Sequence, residues 1–341
     1  MKLVDAAAHP VGATGDEIRR YMKEPWRSAY FPGPERYHYA SPFGEYDDAT
    51  VPSAGGLPGS DPALLVEQLG VDAAARVVLL PLTRGLLPNT DLGSAVCAAT
   101  NDWLAEQWLD TDDRFRGSIR VNPSDPDAAV AEIERWADDS RFVQVAVPLH
   151  SHHPYGQRGY FRIWEEAAKR RLPVAFHADG GAGVDFHPSA AGPLRYALEY
   201  NALLPFTAAY HLASLIAEGV LERLPDARFV FADGGLSALV PIIWRLDKDW
   251  RSTRVEVPWT TKLPSVYIRE QVRFCLTRAD LPRGRGDASW WSIAQADELL
   301  LYASNYPQYD WLSSDAVPDG GAPARVFAEN ARELYGQRLM S

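Results

Sequence analysis

Leu300-Leu301-Tyr302-Ala303-Ser304-Asn305-Tyr306-Pro307-Gln308-Tyr309-Asp310 is a short apolar run that ends abruptly in polar side chains. An apolar run of this length, bounded by turn residues, is the pattern of a strand buried on both faces, and the polar residues then stand at its C-terminal end. The same pattern recurs along the chain at Lys2 to Val4, Arg76 to Leu82, Phe115 to Val121, Phe142 to Leu149, Pro173 to His177 and Arg228 to Ala232, with Leu299 to Ser304 last and an eighth run at Gln271 to Thr277. Helical periodicity fills the intervals: Asp61 to Gly70, Leu92 to Trp108, Asp125 to Ala137, Tyr160 to Arg171, Leu212 to Leu224, Leu239 to Trp250 and Ala324 to Tyr335. Eight strands alternating with helices predict an α/β fold, a (β/α)8 TIM barrel occupying residues 1–341 as one domain. Residues 17–59, rich in Pro, Gly and Tyr, are too long for a simple first loop. They are expected as an irregular insertion after strand 1, over the active-site face. Asp280 to Trp290 is a second candidate loop.

Composition narrows the partners. The chain has 341 residues, 46% apolar and 23% charged, and its net charge of -11 disfavours nucleic acid and anionic membrane surfaces, which select basic faces. A small-molecule substrate is the expectation. The two cysteines, Cys97 and Cys275, sit in apolar stretches, which excludes a disulfide framework or a cysteine zinc site and points to a cytoplasmic, reducing compartment. No run of ~18 apolar residues is present to span a bilayer.

Several segments together resemble the amidohydrolase-related (aminocarboxymuconate-semialdehyde decarboxylase-like) family. Val4-Asp5-Ala6-Ala7-Ala8-His9-Pro10 looks like its opening strand, and Asn101-Asp102-Trp103-Leu104 and Arg116-Gly117-Ser118-Ile119 like its second and third units. Phe142-Val143-Gln144-Val145 and Val174-Ala175-Phe176-His177 continue the likeness. His211 to Pro225, Phe231-Ala232-Asp233-Gly234-Gly235 and Trp244 to Trp250 extend it, and Ser304-Asn305-Tyr306-Pro307-Gln308-Tyr309-Asp310 is similar to the family's Ser-Asp-Tyr-Pro-His-Trp-Asp segment. The resemblance implies hydrolysis or non-oxidative decarboxylation of a small organic acid or amide, at one divalent metal held at the C-terminal strand ends. It also implies a homodimer, or a heteromer with a related amidohydrolase; the helix ending at Trp250-Arg251, with Pro258-Trp259 beyond, offers apolar area for such a contact.

Set against that family, three positions depart. Its strand-one ligand pair maps to Ala7 and His9, its last carboxylate to Asn305, and its motif histidine to Gln308. His177 keeps the place of the imidazole ligand. The resemblance therefore gives a metal set of His9, His177 and Asn305 that is weakened, rebuilt on histidines, or lost, with zinc or manganese bound atypically or no cofactor at all. An amide oxygen can coordinate a hard cation, but it neither neutralises charge nor takes a proton. Asp233 and His177 are the catalytic candidates; Asp233 either moves protons or caps the Gly234-Gly235 turn. His150, His152 and His153 come after the fourth strand and form, with Tyr306 and Gln308, the expected substrate pocket; a polar surface loop is the alternative for the histidines. Asp179, Asp185, Asp310 and His187 fall on other loops, and His211 is expected to be a satisfied helix imidazole. Three readings stay open: an enzyme, a reduced-activity subunit paired with a metal-bearing relative, and a small-molecule binding protein.

Overall fold

Strand pairing begins at β1 (Val4–Ala8) and runs in chain order through β2 (Arg76–Leu79), β3 (Phe115–Arg120), β4 (Phe142–Pro148), β5 (Val174–His177), β6 (Phe229–Phe231), β7 (Val272–Cys275) and β8 (Leu300–Leu301), every pair parallel. The computed structural model describes residues 3–29, 56–83, 86–179, 192, 194–281, 292, 294–308, 310–317 and 324–340. Of the expected insertion, residues 30–55 lie outside the described residues, as do Asp185, His187 and most of the Asp280 to Trp290 loop. Backbone hydrogen bonds bring β8 round to β1: Ala6 N–H to Tyr302 O at 2.8 Å, Asn305 N–H to Ala7 O at 2.9 Å and His9 N–H to Tyr306 O at 2.7 Å. The result is a nearly closed (β/α)8 barrel with helices between the strands, in agreement with the alternation of runs.

The helices start where the local chemistry tells them to. Asp61 caps α2 (Pro62–Leu69) and Asp125 caps α4 (Pro126–Trp136), each accepting a backbone N–H with proline at the first helical position, where its missing donor is harmless; α1 (Gly15–Arg19) precedes them. Asn89 does the same for α3 (Thr90–Leu104). The remainder are α5 (Phe161–Lys169), α6 (Ala197–Ala217), α7 (Val220–Arg223), α8 (Leu236–Thr253), α9 (Pro264–Gln271), α10 (Ala296–Leu299), α11 (Ala324–Phe327) and α12 (Glu329–Tyr335). The stretch read as Leu212 to Leu224 is thus two helices, and the first begins at Ala197, because Pro205 does not stop it. No helix among the described residues is long and apolar enough to cross a membrane.

Alternation along each strand sorts the core into two layers. Phe115, Ile119, Val145, Val174, Phe176, Phe229, Phe231 and Phe274 face the helices, while Val4, Val78, Val143, Ala175, Val230, Cys275 and Leu301 fill the barrel. Ala331, Tyr335 and Leu339 join the inner layer, and the Tyr335 hydroxyl donates to Gln144 Oε1 at 2.9 Å, so the C-terminal helix closes one end of the barrel. The inner residues are small on β1, where the register slips between Asp5 and Ala8; Ala6 and Ala7 both line the interior, so successive side chains of this strand do not strictly alternate between faces.

Asp5 ties the seam between the first and last strands. Its Oδ1 accepts Ser304 N–H at 2.8 Å and Ala7 N–H at 3.2 Å, and burial raises its pKa to about 6 against the hydrogen bonds that lower it. A raised folded-state pKa means that this group's contribution to stability is fully present below its ordinary value and is lost as pH climbs through about 6. Asp5→Asn, which keeps the acceptor and removes the charge, is expected to exceed the parent in stability at about pH 8 and to match it at about pH 4 in denaturant titrations. Asp5→Ala strands two buried donors and should lose about 2–3 kcal/mol at either pH. An Asn variant weaker than the parent at the higher pH would contradict this account of the seam.

Candidate metal and proton-transfer site

His9 comes directly after β1, His177 ends β5, and Asn305 lies past β8, so barrel closure brings side chains from distant parts of the chain to one point. Both imidazoles are buried, with ring centroids 4.2 Å apart. Each is pinned through Nδ1 to a backbone carbonyl: His9 to Leu80 O at 2.9 Å and His177 to Ala178 O at 3.0 Å. A carbonyl oxygen only accepts, so Nδ1 carries the proton in both rings and Nε2 presents a lone pair. Burial, with the positive charge of Arg120 adding to it, lowers the His9 pKa to about 3 and the His177 pKa to about 4. Both rings are therefore neutral at neutral pH.

Both Nε2 atoms point at the same atom. Asn305 Oδ1 is 2.7 Å from His9 Nε2 and 3.0 Å from His177 Nε2. The amide is held in this sense by Asp310, whose Oδ1 accepts its Nδ2–H at 2.9 Å. Asn305 has a φ of +55°, a left-handed conformation that asparagine tolerates better than most residues, and Gln308 N–H bonds its carbonyl at 2.8 Å. Three lone pairs meet with no proton between them, a repulsive arrangement for neutral groups and an attractive one for a cation.

Asp233 completes the cluster. Its Oδ2 is 3.3 Å from His177 Nε2 and accepts Ala178 N–H at 2.9 Å, so it reaches across to the β5 loop rather than into the Gly234-Gly235 turn of the alternative, capping reading. Burial lifts its pKa to about 7, and the same cause lifts Asp310 to about 6. Near neutrality Asp233 thus populates both protonation states, the property a proton-transfer group needs.

The other histidines of the fourth loop do not gather here. His150 is buried and stacks near Tyr200 at a centroid distance of 6.1 Å, while His152 and His153 are exposed. Tyr306 packs edge-on to Trp311 and Gln308 is buried beside Asn305. His211 bonds Leu149 O at 2.6 Å and takes Tyr155 N–H at 3.1 Å, a fully satisfied helix imidazole. Ala7 lines the interior and offers no donor. Arg120, paired with Asp179 inside the barrel, has no place in the expected site. Its signal was present: a charged residue at the inward position that closes an apolar strand.

The amidohydrolase family model matches residues 88–337, which takes in β3 to β8. The chain belongs to the amidohydrolase family. Two curated relatives of this amidohydrolase are gamma-resorcylate decarboxylases. The Rhodococcus jostii (strain RHA1) protein is 27% identical over 50% of this chain, which spans about half of that relative's length (54%); the Rhizobium radiobacter protein is 26% identical over 80% of this chain and 85% of its own. The dihydroxybenzoic acid decarboxylase of Polaromonas sp. JS666, solved with manganese and 2-nitroresorcinol, superposes with a TM-score of 0.66 over 98% of this chain and 97% of that one; at 16% identity it speaks for the fold alone.

The donor chemistry accommodates a divalent cation in part. Among the described residues no three His, Cys, Asp or Glu side chains form a metal-holding group, so the set depends on the Asn305 amide oxygen, with His9 Nε2 and His177 Nε2 as the remaining donors. Asn305→Asp adds an anion at the point of convergence and should tighten Mn2+ or Zn2+ at least about tenfold in chelator competition. His177→Ala should abolish binding. Unchanged affinity in the Asp variant would show that Asn305 is not a ligand.

Proposed function

We propose that this amidohydrolase is a non-oxidative decarboxylase of a small aromatic hydroxy acid, assisted by one divalent metal. The observation that carries the reading is the convergence of two neutral, Nδ1-anchored imidazoles and an amide oxygen beside a carboxyl group whose pKa lies near 7. The names of the curated relatives support it. Decarboxylation needs an acid, which the protonated form of Asp233 supplies, and Asn305 at the last strand end can neither give nor take a proton.

His9, His177 and Asn305 would hold the metal. Bound there, it would supply Lewis-acid polarisation of a substrate oxygen. The chain's own groups do the rest. Leu80 and Ala178 carbonyls fix the imidazole tautomers, so neither ring competes for the transferred proton. The Asp233 carboxyl gives its proton to the ring carbon that bears the substrate carboxylate. The bond between that carbon and the carboxylate then breaks, its electron pair returns to the ring, and CO2 leaves. Asp233, now an anion, keeps the Ala178 N–H bond and regains a proton from solvent.

A second reading, a subunit whose full activity needs a related chain, is favoured by the lack of an acidic ligand at Ala7 and Asn305. Exposed Trp244 and Trp259 offer surface for such an association. The homogeneous chain, loaded with Mn2+ and given gamma-resorcylate and other ortho-hydroxylated benzoates, should release CO2 by itself. Asp233→Asn should lower kcat by about a hundredfold or more. Absence of CO2 from every such acid in both the manganese and zinc forms rejects the decarboxylase; activity only with a co-purified relative supports the subunit.

A further inference from the structure

Helix α6 (Ala197–Ala217) carries large apolar side chains on two sides. One side packs into the outer core layer through Ala208, Leu212, Leu215 and Ile216. The other is open to water: Leu198 is 80% exposed, Phe206 49%, Tyr210 56%, and Tyr196, at the N-cap, 64%. Leu198, Ala202, Phe206 and Tyr210 follow one another at steps of four residues, and all four are exposed. They form one ridge along the helix surface, about 18 Å long at 1.5 Å per residue.

A helix that covers a barrel ordinarily turns charged side chains to water. α6 contains no Lys, Arg or Asp, and its Glu199 is turned back to the helix start, where Oε2 accepts the N–H groups of Arg195 at 2.7 Å and Tyr196 at 3.0 Å. His211 is committed inward to Leu149 O. The ridge therefore presents apolar surface without charge, and size, charge and shape each bear on what covers it. An aromatic side chain carries roughly 150–250 Å2, so the four large exposed side chains offer on the order of 500 Å2. That is above half of the ~800 Å2 that each partner of a stable complex buries, and half-buried Leu203 and Thr207 border it. With a net charge of -11, two copies of the chain repel each other over most of their surfaces, and an uncharged ridge lets them meet without opposing acidic groups. The same balance disfavours an anionic membrane, which interfacial helices meet with Lys and Arg. Finally, a ridge built on four-residue steps packs into the matching groove of an identical helix at an angle of about -50°, so the surface is complementary to itself, as a two-fold interface requires.

We propose that α6 is the contact between two copies of this chain, the ridge of Leu198, Ala202, Phe206 and Tyr210 on one protomer lying beside the same ridge on its partner. Phe206 and Tyr210 are its anchors, since buried aromatic side chains near the centre of an interface carry most of its energy. This places the contact on α6 rather than at the Trp250-Arg251 end of α8. It is also separate from exposed Trp244, which lines a cavity between α8 and α9 with Ile268, Arg269 and Gln295. The inference does not rest on the decarboxylase reading.

Sedimentation velocity of the full chain at micromolar concentration reads the assembly directly. The parent is expected at twice the 37.8 kDa of the chain, and added salt should not dissociate it, because the contact is apolar. Phe206→Glu brings like charges into that contact and should raise the dimer dissociation constant at least about a hundredfold. The position faces water in the single chain, so a cooperative melt should persist, and Tyr210→Glu gives the same reading one turn further along. Phe206→Leu keeps the ridge apolar and should remain a dimer, as should Trp244→Glu. A parent that sediments as a single chain overturns the proposal, the ridge then being covered from within the chain or by another protein. A folded Phe206→Glu variant that stays dimeric overturns it too, as does a dimer that Trp244→Glu dissociates and Phe206→Glu does not. None of these measurements involves turnover, so release of CO2 is decided separately.

Discussion

Asp310 decides which way the Asn305 amide faces, and the electronic character of the site depends on that choice. A carboxylate accepts and does not donate, so it draws the Nδ2–H group toward itself and turns Oδ1 toward His9 and His177. Were the amide reversed, its two N–H bonds would satisfy both imidazoles and the cluster would be a closed hydrogen-bond network with no use for a cation. With the amide as it stands, three acceptors face one another, two of them on buried imidazoles. The low local dielectric makes such an arrangement costly when empty of positive charge and strongly receptive when supplied with it.

The same desolvation sets the protonation states around this point. It drives both imidazoles toward the neutral form and the nearby carboxyls toward the protonated form, with Asp233 and Asp179 at about 7. A barrel mouth of this kind separates roles by hydrogen bonding. His9 and His177 are committed through Nδ1 to carbonyls, Asp310 to the amide and Asp179 to Arg120, which leaves Asp233 as the group poised to exchange a proton. An amide at Asn305 brings no negative charge to the cluster, so the carboxyl beside the two imidazoles is that of Asp233.

Much of the fold was legible because a parallel barrel imposes a simple pattern. Each strand is buried on both faces and reads as an apolar run, and each helix begins at a signal such as Asp61-Pro62 or Asp125-Pro126. The weakest points were where tertiary contacts override local preference: α6 continues through Pro205, and β8 is only Leu300–Leu301 because its remaining bonds cross to β1 and to the C-terminal segment. In the site, His9, His177, Asn305 and Asp233 were each legible as polar residues at strand ends, and the structure brings them together. The His150-Ser151-His152-His153 cluster was persuasive only as a string of letters; its side chains diverge into the core and the solvent.

By itself the sequence determined the alternation of elements, the family likeness and the identity of the groups at the strand ends, because burial periodicity and residue chemistry are local properties. It also determined that Ala7 and Asn305 bring no carboxylate. Only the tertiary structure decided which nitrogen of each imidazole is free, which way an amide turns, and that Arg120 and Asp179 meet inside the barrel with unpaired atoms. Those facts depend on hydrogen bonds between residues far apart in the chain, 296 positions for His9 and Asn305 and 59 for Arg120 and Asp179, and on a burial that no local pattern measures.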